Sequence, residues 1–329
     1  MRYGNVLLVL ALLGVLVGAP DAYGMKKVAQ SRMQFLKLPV GARTVGMGEA
    51  FVAIAGDPNN VFYNPAGTAF VNGLAIAFNQ ASWIADISHQ AAALSYTAGR
   101  WGTFTVSYIT MNYGEFERTE VDAHSWEGYV SRGTFTVGEY AVGLAYAHQI
   151  TDRFFVGGQI KYAFQDLGNS RVWEFVGTEF EREREVENKD DVVAYDFGTY
   201  YNAGFKNLRI AMSVQNFANR PIPLTFRFGM ALDASEFFLG EGSPHTLTVA
   251  VDGIHPRDYS ERMHLGAEYW YAHVLALRIG YKLNYDLGSF NWGFGFRSKL
   301  LGVGLSFDYA VSDMDVFGYK HRFSIGLWL

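Results

Sequence analysis

From residue 73 to the carboxyl terminus the chain alternates large apolar residues with small or polar ones. Phe290, Trp292, Phe294 and Phe296 alternate with Asn291, Gly293, Gly295 and Arg297, and residues 275–284 and 303–309 repeat the pattern. Residues 140–146, 154–164, 208–214 and 226–232 do the same. A period of two is a strand with two unlike faces. Counted from Leu74, the runs predict about fourteen strands, an even number that suits a single-chain barrel. The connections alternate in character. Residues 113–133 and 168–191 are long and polar, whereas residues 97–100, 150–153 and 299–301 read as tight turns; residues 234–243 are long on the tight-turn side. Phe323, Ile325, Leu327 and Leu329 alternate up to the chain end, so the last strand is placed to pair with the first. Closure is required in hydrocarbon, where an open sheet edge leaves backbone groups unsatisfied.

The smaller face carries Gly, Ala and Ser together with Lys161, Asp196, Arg209, Arg227, Asp252, Glu268, Arg278, Lys282, Arg297 and Asp308. A solvated outer face would be more uniformly polar, so this face reads as a lumen and the large apolar face as a lipid-contacting wall. The predicted fold is all-β: a transmembrane antiparallel β-barrel of about 14 strands with a short N-terminal helical plug. The divisions follow: residues 1–24 a signal peptide, residues 25–72 the plug segment, and residues 73–329 the barrel. Residues 1–24 have Arg2, an apolar core and a small-residue end at Gly24, the layout of an export signal.

Residues 40–67 (VGARTVGMGEAFVAIAGDPNNVFYNPAG) are the one stretch that neither the signal nor the strand series explains. Ala42, Val45, Met47, Ala50, Phe51 and Ile54 recur at spacings of three and four and predict a short helix that stops at Gly56. Gly41, Gly46 and Gly48 lie within it and imply close approach to another backbone. Asp57 and the Asn64-Pro65-Ala66-Gly67 run mark turns. A barrel of this size is too wide for small side chains to fill, so the segment is assigned to the lumen. There an enclosed Arg43 needs a carboxylate, with Asp196, Asp252 and Glu268 as candidates.

Composition narrows the chemistry. Hydrophobic residues make up 50% and charged residues 18%, below the ~25% usual in soluble domains. Cysteine is absent, which removes disulfides and thiolate metal sites. Net charge is −5 without a basic stretch, which argues against nucleic acid. His255, His264 and His273 do not have metal-ligand spacing. A hydrolase built on Ser95 or Ser107 would need a neighbouring His that no motif supplies. The reading is a non-enzymatic protein with no catalytic residue, no metal and no cofactor. The charged run at residues 180–191 reads as a solvated external loop.

The run QFLKLPVGARTVGMGEAFVAIAGDPNNVFYNPAG resembles the N-terminal signature of the PorV/PorQ family of outer-membrane proteins, which is related to FadL-type hydrophobic-compound channels. PLTFRFGMALD, LTVAVDGIHPRDYSERMHLGAEYWY and the closing YAVSD and HRFSIGL runs also resemble that family. The resemblance implies residence in the bacterial outer membrane among its lipid, and an accessory, shuttle or anchoring part in type IX-like secretion. The partners would then be a translocon, cargo or a surface protease. Candidate contact residues on the long connections are Tyr113, Trp126, Trp173, Glu181, Arg182 and Arg184. The alternative is a FadL-like channel for hydrophobic small molecules, with Phe51, Phe62, Phe70 and Trp83 as lining. The plug motif common to both is Gly41, Arg43, Gly46, Gly48, Phe51, Asp57, Asn64, Pro65 and Gly67.

Overall fold

The computed structural model describes residues 31–329 apart from 177, 178, 206 and 239–242, and the side chains of 171–183 fall outside that description. The predicted signal at residues 1–24 and the start of the N-terminal segment lie outside the described residues.

Fourteen antiparallel strands form one closed barrel in sequence order. They are β1 Leu74–Ser82, β2 Ser88–Thr97, β3 Thr103–Val121, β4 Tyr129–Thr151, β5 Phe154–Val176, β6 Glu179–Asn202 and β7 Arg209–Phe217. The series continues with β8 Thr225–Asp233, β9 His245–Pro256, β10 Arg262–Tyr271, β11 Leu275–Leu283, β12 Phe290–Leu300, β13 Val303–Asp313 and β14 Tyr319–Trp328. Closure runs through β1 and β14, from Ala75 opposite Trp328 to Ala81 opposite Arg322. This satisfies both terminal strand edges.

The two faces separate as the alternation predicted. Outward side chains such as Phe78 (54% exposed), Leu277 (63%) and Phe294 are large and apolar, whereas inward Ala75, Ala93, Thr105, Ala145 and Ala310 are small and buried. A soluble barrel would reverse this arrangement. Among the described residues no helix is long and apolar enough to cross a membrane.

The long connections are mostly strand rather than loop. β3 and β4 stay paired out to Val121 opposite Tyr129, and β5 and β6 out to Val176 opposite Glu179. Their neighbours stop earlier: β2 pairs with β3 only as far as Asn112, and β7 with β6 only as far as Tyr195. β4 and β5 pair with each other only from Gly138 opposite Asp166 inward, so two separate hairpins, β3–β4 and β5–β6, stand above the rim at the end carrying the long connections, the outer end by barrel convention. Hairpin pairing satisfies the backbone along the polar run, which a solvated loop would leave to water.

Candidate functional site

The N-terminal segment runs down the lumen from the outer end to the inner end. At the outer end, the Arg32 amide donates to the Pro221 carbonyl at 2.9 Å, and the Ser31 hydroxyl and Lys37 ammonium both donate to Asp258. Pro221 and Asp258 lie in the β7–β8 and β9–β10 connections. At the inner end, the Thr97 amide donates to the Gly73 carbonyl at 2.9 Å just before β1 begins.

Between these ends only Ala42–Gly46 (α1) is α-helical. The predicted helix continued to residue 54. It is cut short because Gly48 (φ 61°) and Glu49 (φ 64°) adopt left-handed backbone. That turn carries the Glu49 carboxylate to Lys282, whose Nζ donates at 2.9 Å. Every residue from 40 to 54 is buried, because the lumen encloses the segment on all sides.

Strand glycines make the space. A Cβ on Gly280 would lie 1.9 Å from the Gly48 nitrogen, and one on Gly198 would lie 1.9 Å from the Asn64 side-chain oxygen. The Asn64-Pro65-Ala66-Gly67 turn is seated the same way: Asn64 Nδ2 donates to the carbonyls of Val52 and Thr199, both at 3.0 Å. Asp57 caps the preceding 3₁₀ turn Pro58–Phe62, accepting from the Asn59 amide at 3.0 Å.

The charged lumen residues meet this segment. Arg43 forms a two-pronged bond with Glu268, Nε to Oε2 at 2.8 Å and Nη2 to Oε1 at 2.7 Å, and its Nη1 donates to Asp57 at 3.3 Å. Arg278 Nε donates to the same Glu268 at 2.7 Å and its Nη1 lies 2.7 Å from Asp308. Of the three carboxylates considered for Arg43, Glu268 is its partner. Asp252 instead accepts from the amides of Phe51 and Val52 at 2.8 and 3.0 Å, and Asp196 pairs with Lys161 at 2.7 Å. Burial alone would raise the Glu49 carboxyl, but the positive charge of Lys282 and its neighbours outweighs this and holds it at about 2. These bonds tie the segment to the wall and form no constellation of nucleophile and base. Among the described residues no group of three His, Cys, Asp or Glu is placed to hold a metal.

The lumen changes character with height. At its outer end Met33, Phe35, Leu36 and Leu38 pack against inward Met111, Ala141, Ala163, Val192 and Ala194 and against Ile222 of the β7–β8 connection. This is an apolar chamber filled by the chain's own N-terminal residues. Beside it, above the last β6–β7 pair at Tyr195 and Phe217, a recess of about 530 Å³ opens in the wall, lined by Val192, Val193, Tyr195, Phe217, Ala218 and Arg220. Val192 and Ala218 belong to both chamber and recess. At the inner end a more polar cavity of about 270 Å³ lies between the segment and β12–β14, with Asp57, Asn59, Phe70, Arg297, Asp308 and Trp328 on its walls.

Of the four aromatics expected to line an apolar pocket, Phe51, Phe62 and Phe70 share one apolar cluster inside the lumen with Met47, Val52, Tyr63, Phe155 and Tyr200, and Trp83 lies apart from it. Phe51 is fully buried, edge-on to Tyr63 at 5.7 Å. Phe70 packs against Phe155 and Tyr200, with ring centroids at 4.2 and 4.6 Å. Trp83 follows β1 at the outer end, 5.3 Å from the Arg322 guanidinium. Phe62 borders a separate cavity of about 30 Å³, room for a single water. The chamber residues Met33, Phe35 and Ile222 went unnoticed in the sequence; the apolar spacing of Met33, Phe35, Leu36 and Leu38 was the available signal.

Of the long-connection residues, Trp126 is almost fully exposed (98%) and Arg184 is exposed, whereas Tyr113 donates its hydroxyl to Glu139. The side chains of Trp173, Glu181 and Arg182 lie outside the described residues.

The comparisons with known proteins agree with this architecture. The model of an uncharacterised protein family, UPF0164, matches residues 14–220. The chain belongs to UPF0164. No curated protein matches this UPF0164 member in sequence. Among solved structures it is similar to the toluene transporter TbuX of Ralstonia pickettii, at 12% identity and a TM-score of 0.56 over 87% of this chain and 96% of that one. It is also similar to a Pseudomonas aeruginosa FadL homologue, at 10% identity and a TM-score of 0.52 over 88% and 98%. The monoaromatic hydrocarbon channel CymD matches at 10% identity and a TM-score of 0.54 over 88% and 96%. At these identities the likeness establishes the FadL-like barrel fold. The comparisons give PorV/PorQ membership and type IX secretion no support.

Proposed function

We propose that this UPF0164 protein is an outer-membrane channel for hydrophobic small molecules, non-enzymatic and gated by its own N-terminal segment. The observation that carries this reading is the apolar chamber at the outer end of the lumen. Lumen-facing Met111, Ala141, Ala163 and Val192 are unsuited to a water-filled pore, and the side chains that fill the space belong to a short terminal strap. An apolar molecule entering there would replace Met33 and Phe35 at little cost in transfer free energy, since apolar contacts are exchanged for apolar contacts. The recess between β6 and β7 shares Val192 and Ala218 with the chamber and offers a way sideways into the bilayer, while the polar inner cavity suits passage of water or small polar groups better. The similar structures are described as transporting toluene or conducting monoaromatic hydrocarbons, which is consistent with this substrate class. Export by a signal at residues 1–24 and a plug formed by residues 25–72 are part of the proposal.

The test is uptake of a radiolabelled panel by cells lacking a FadL-type protein and expressing this one. Toluene or a long-chain fatty acid should enter several-fold faster than in vector controls, and a disaccharide should not. Equal rates for all compounds would count against the reading.

A further inference from the structure

The lipid-facing wall is not uniform, and one depression in it has a chemical character of its own. On β2 the outward position 92 is an alanine, although the outward residues around it are large: Phe78 on β1, Leu94 on β2, Tyr108 on β3, and Phe323 and Ile325 on β14. In register, Ala92 stands between Phe78 and Tyr108. The missing volume leaves a groove of about 370 Å³, walled almost wholly by apolar surface.

At its outer edge two amides also face outward. Gln80 and Gln90 are direct cross-strand partners, two positions beyond Phe78 and two before Ala92 respectively. The inward neighbours of these residues are tied inside the lumen: Asn79 donates to Asn59 at 2.8 Å. The side chains of Gln80 and Gln90 have no hydrogen-bond partner among the described residues. In a bilayer an amide without a partner is costly to keep at the hydrocarbon boundary, so the pair calls for a polar group from outside the protein. The groove and the amides lie toward the end with the long hairpins, the outer leaflet.

We propose that this groove is a site for one retained phospholipid, with an acyl chain lying over Ala92 and its ester region hydrogen-bonded to Gln80 and Gln90. The wall's position fixes the occupant of the apolar part, because only hydrocarbon is present there. The charge of the rim chooses the headgroup chemistry. None of the groove residues is Lys or Arg, so nothing there would neutralise the clustered phosphates of a lipopolysaccharide, whereas neutral amides match the ester carbonyls of a glycerophospholipid. The site is distinct from the lumen, and its occupancy does not depend on what the channel carries.

The experiment is native mass spectrometry of the barrel extracted in a mild detergent, with the bound lipid identified by fragmentation. The wild-type protein should carry one phospholipid per barrel. Ala92→Trp fills the groove and should lower occupancy tenfold or more, and the double variant Gln80→Ala/Gln90→Ala should lower it several-fold. Ile279→Trp, on the wall away from the groove, should leave it unchanged. Heat-modified mobility on a gel confirms that each variant is a folded barrel. Equal lipid occupancy in wild type and Ala92→Trp would overturn the proposal, and so would a lipopolysaccharide as the retained species.

Discussion

Arg43 and Glu268 meet through two parallel hydrogen bonds of 2.8 and 2.7 Å inside the lumen, although one lies on the five-residue helix α1 and the other on β10. Neither charge has water to fall back on, since Glu268 is almost fully buried and Arg43 nearly so. The pair joins the N-terminal segment to the wall, and Arg278 and Asp308 extend it across β11 and β13.

Removing Arg43 leaves Glu268 to Arg278 alone and takes the cation from Asp57, and breaking a buried pair of this kind costs about 3–5 kcal/mol. The cost falls on docking of the segment, because the barrel's backbone ladder does not include it. Arg43→Ala should therefore speed amide exchange of residues 42–54 by roughly a hundredfold or more. Exchange along β10 should change far less. The double variant Arg43→Met/Glu268→Leu removes one charge of each sign and leaves Arg278 paired with Asp308, so it should lose clearly less protection than the single one.

Gly280 supplies the second attachment. A methyl there would sit 1.9 Å from the Gly48 nitrogen, which the segment can relieve only by backing away. Gly280→Ala should cost about 1–3 kcal/mol of segment stability. Gly253→Ala is the matched control, because the nearest atom to its Cβ would be 3.9 Å away. Hydrogen exchange of residues 42–54 in the two variants measures the difference.

Glu49 makes the docking acid-sensitive. Its carboxyl is held at about 2, below its ordinary 4.5, so the folded state favours the ionised form. A depressed carboxyl contributes stability that is fully present above pH 4.5 and is lost as pH falls from there towards 2. Protease accessibility of the segment should rise across that window in the wild-type protein. In Glu49→Gln it should already be raised at neutral pH and should change less on acidification.

Much of this architecture was legible in the sequence, and the reasons are physical. Alternation at Phe290–Leu300 or Val303–Asp313 is imposed by two solvents, lipid outside and a crowded lumen inside, so strands and faces follow directly. The need for a carboxylate opposite Arg43 followed from enclosure alone, but choosing Glu268 over Asp252 did not. That choice depends on the left-handed turn at Gly48 and Glu49, a local event that apolar spacing does not report. For the same reason the helix ended at Gly46, ten residues before the predicted stop at Gly56. The polar runs read as loops because their composition suits water, although in β3–β6 cross-strand pairing holds them as projecting hairpins. The chamber was missed because its inner wall is made of isolated residues, Met111, Ala163 and Val192, each unremarkable on its own strand.

In the proposed channel, Met33 and its neighbours must leave the outer chamber for a hydrophobic molecule to pass. The chain has no cysteine, so a single engineered pair is clean. Ser31 and Asp258 are short side chains already in contact, and Ser31→Cys/Asp258→Cys would pin the strap to the β9–β10 connection. Uptake of labelled toluene should fall to the vector level when the disulfide is formed and return on adding a reductant, while each single-cysteine variant transports normally in both conditions. Undiminished uptake with the disulfide shown to be fully formed would mean that the strap does not gate passage.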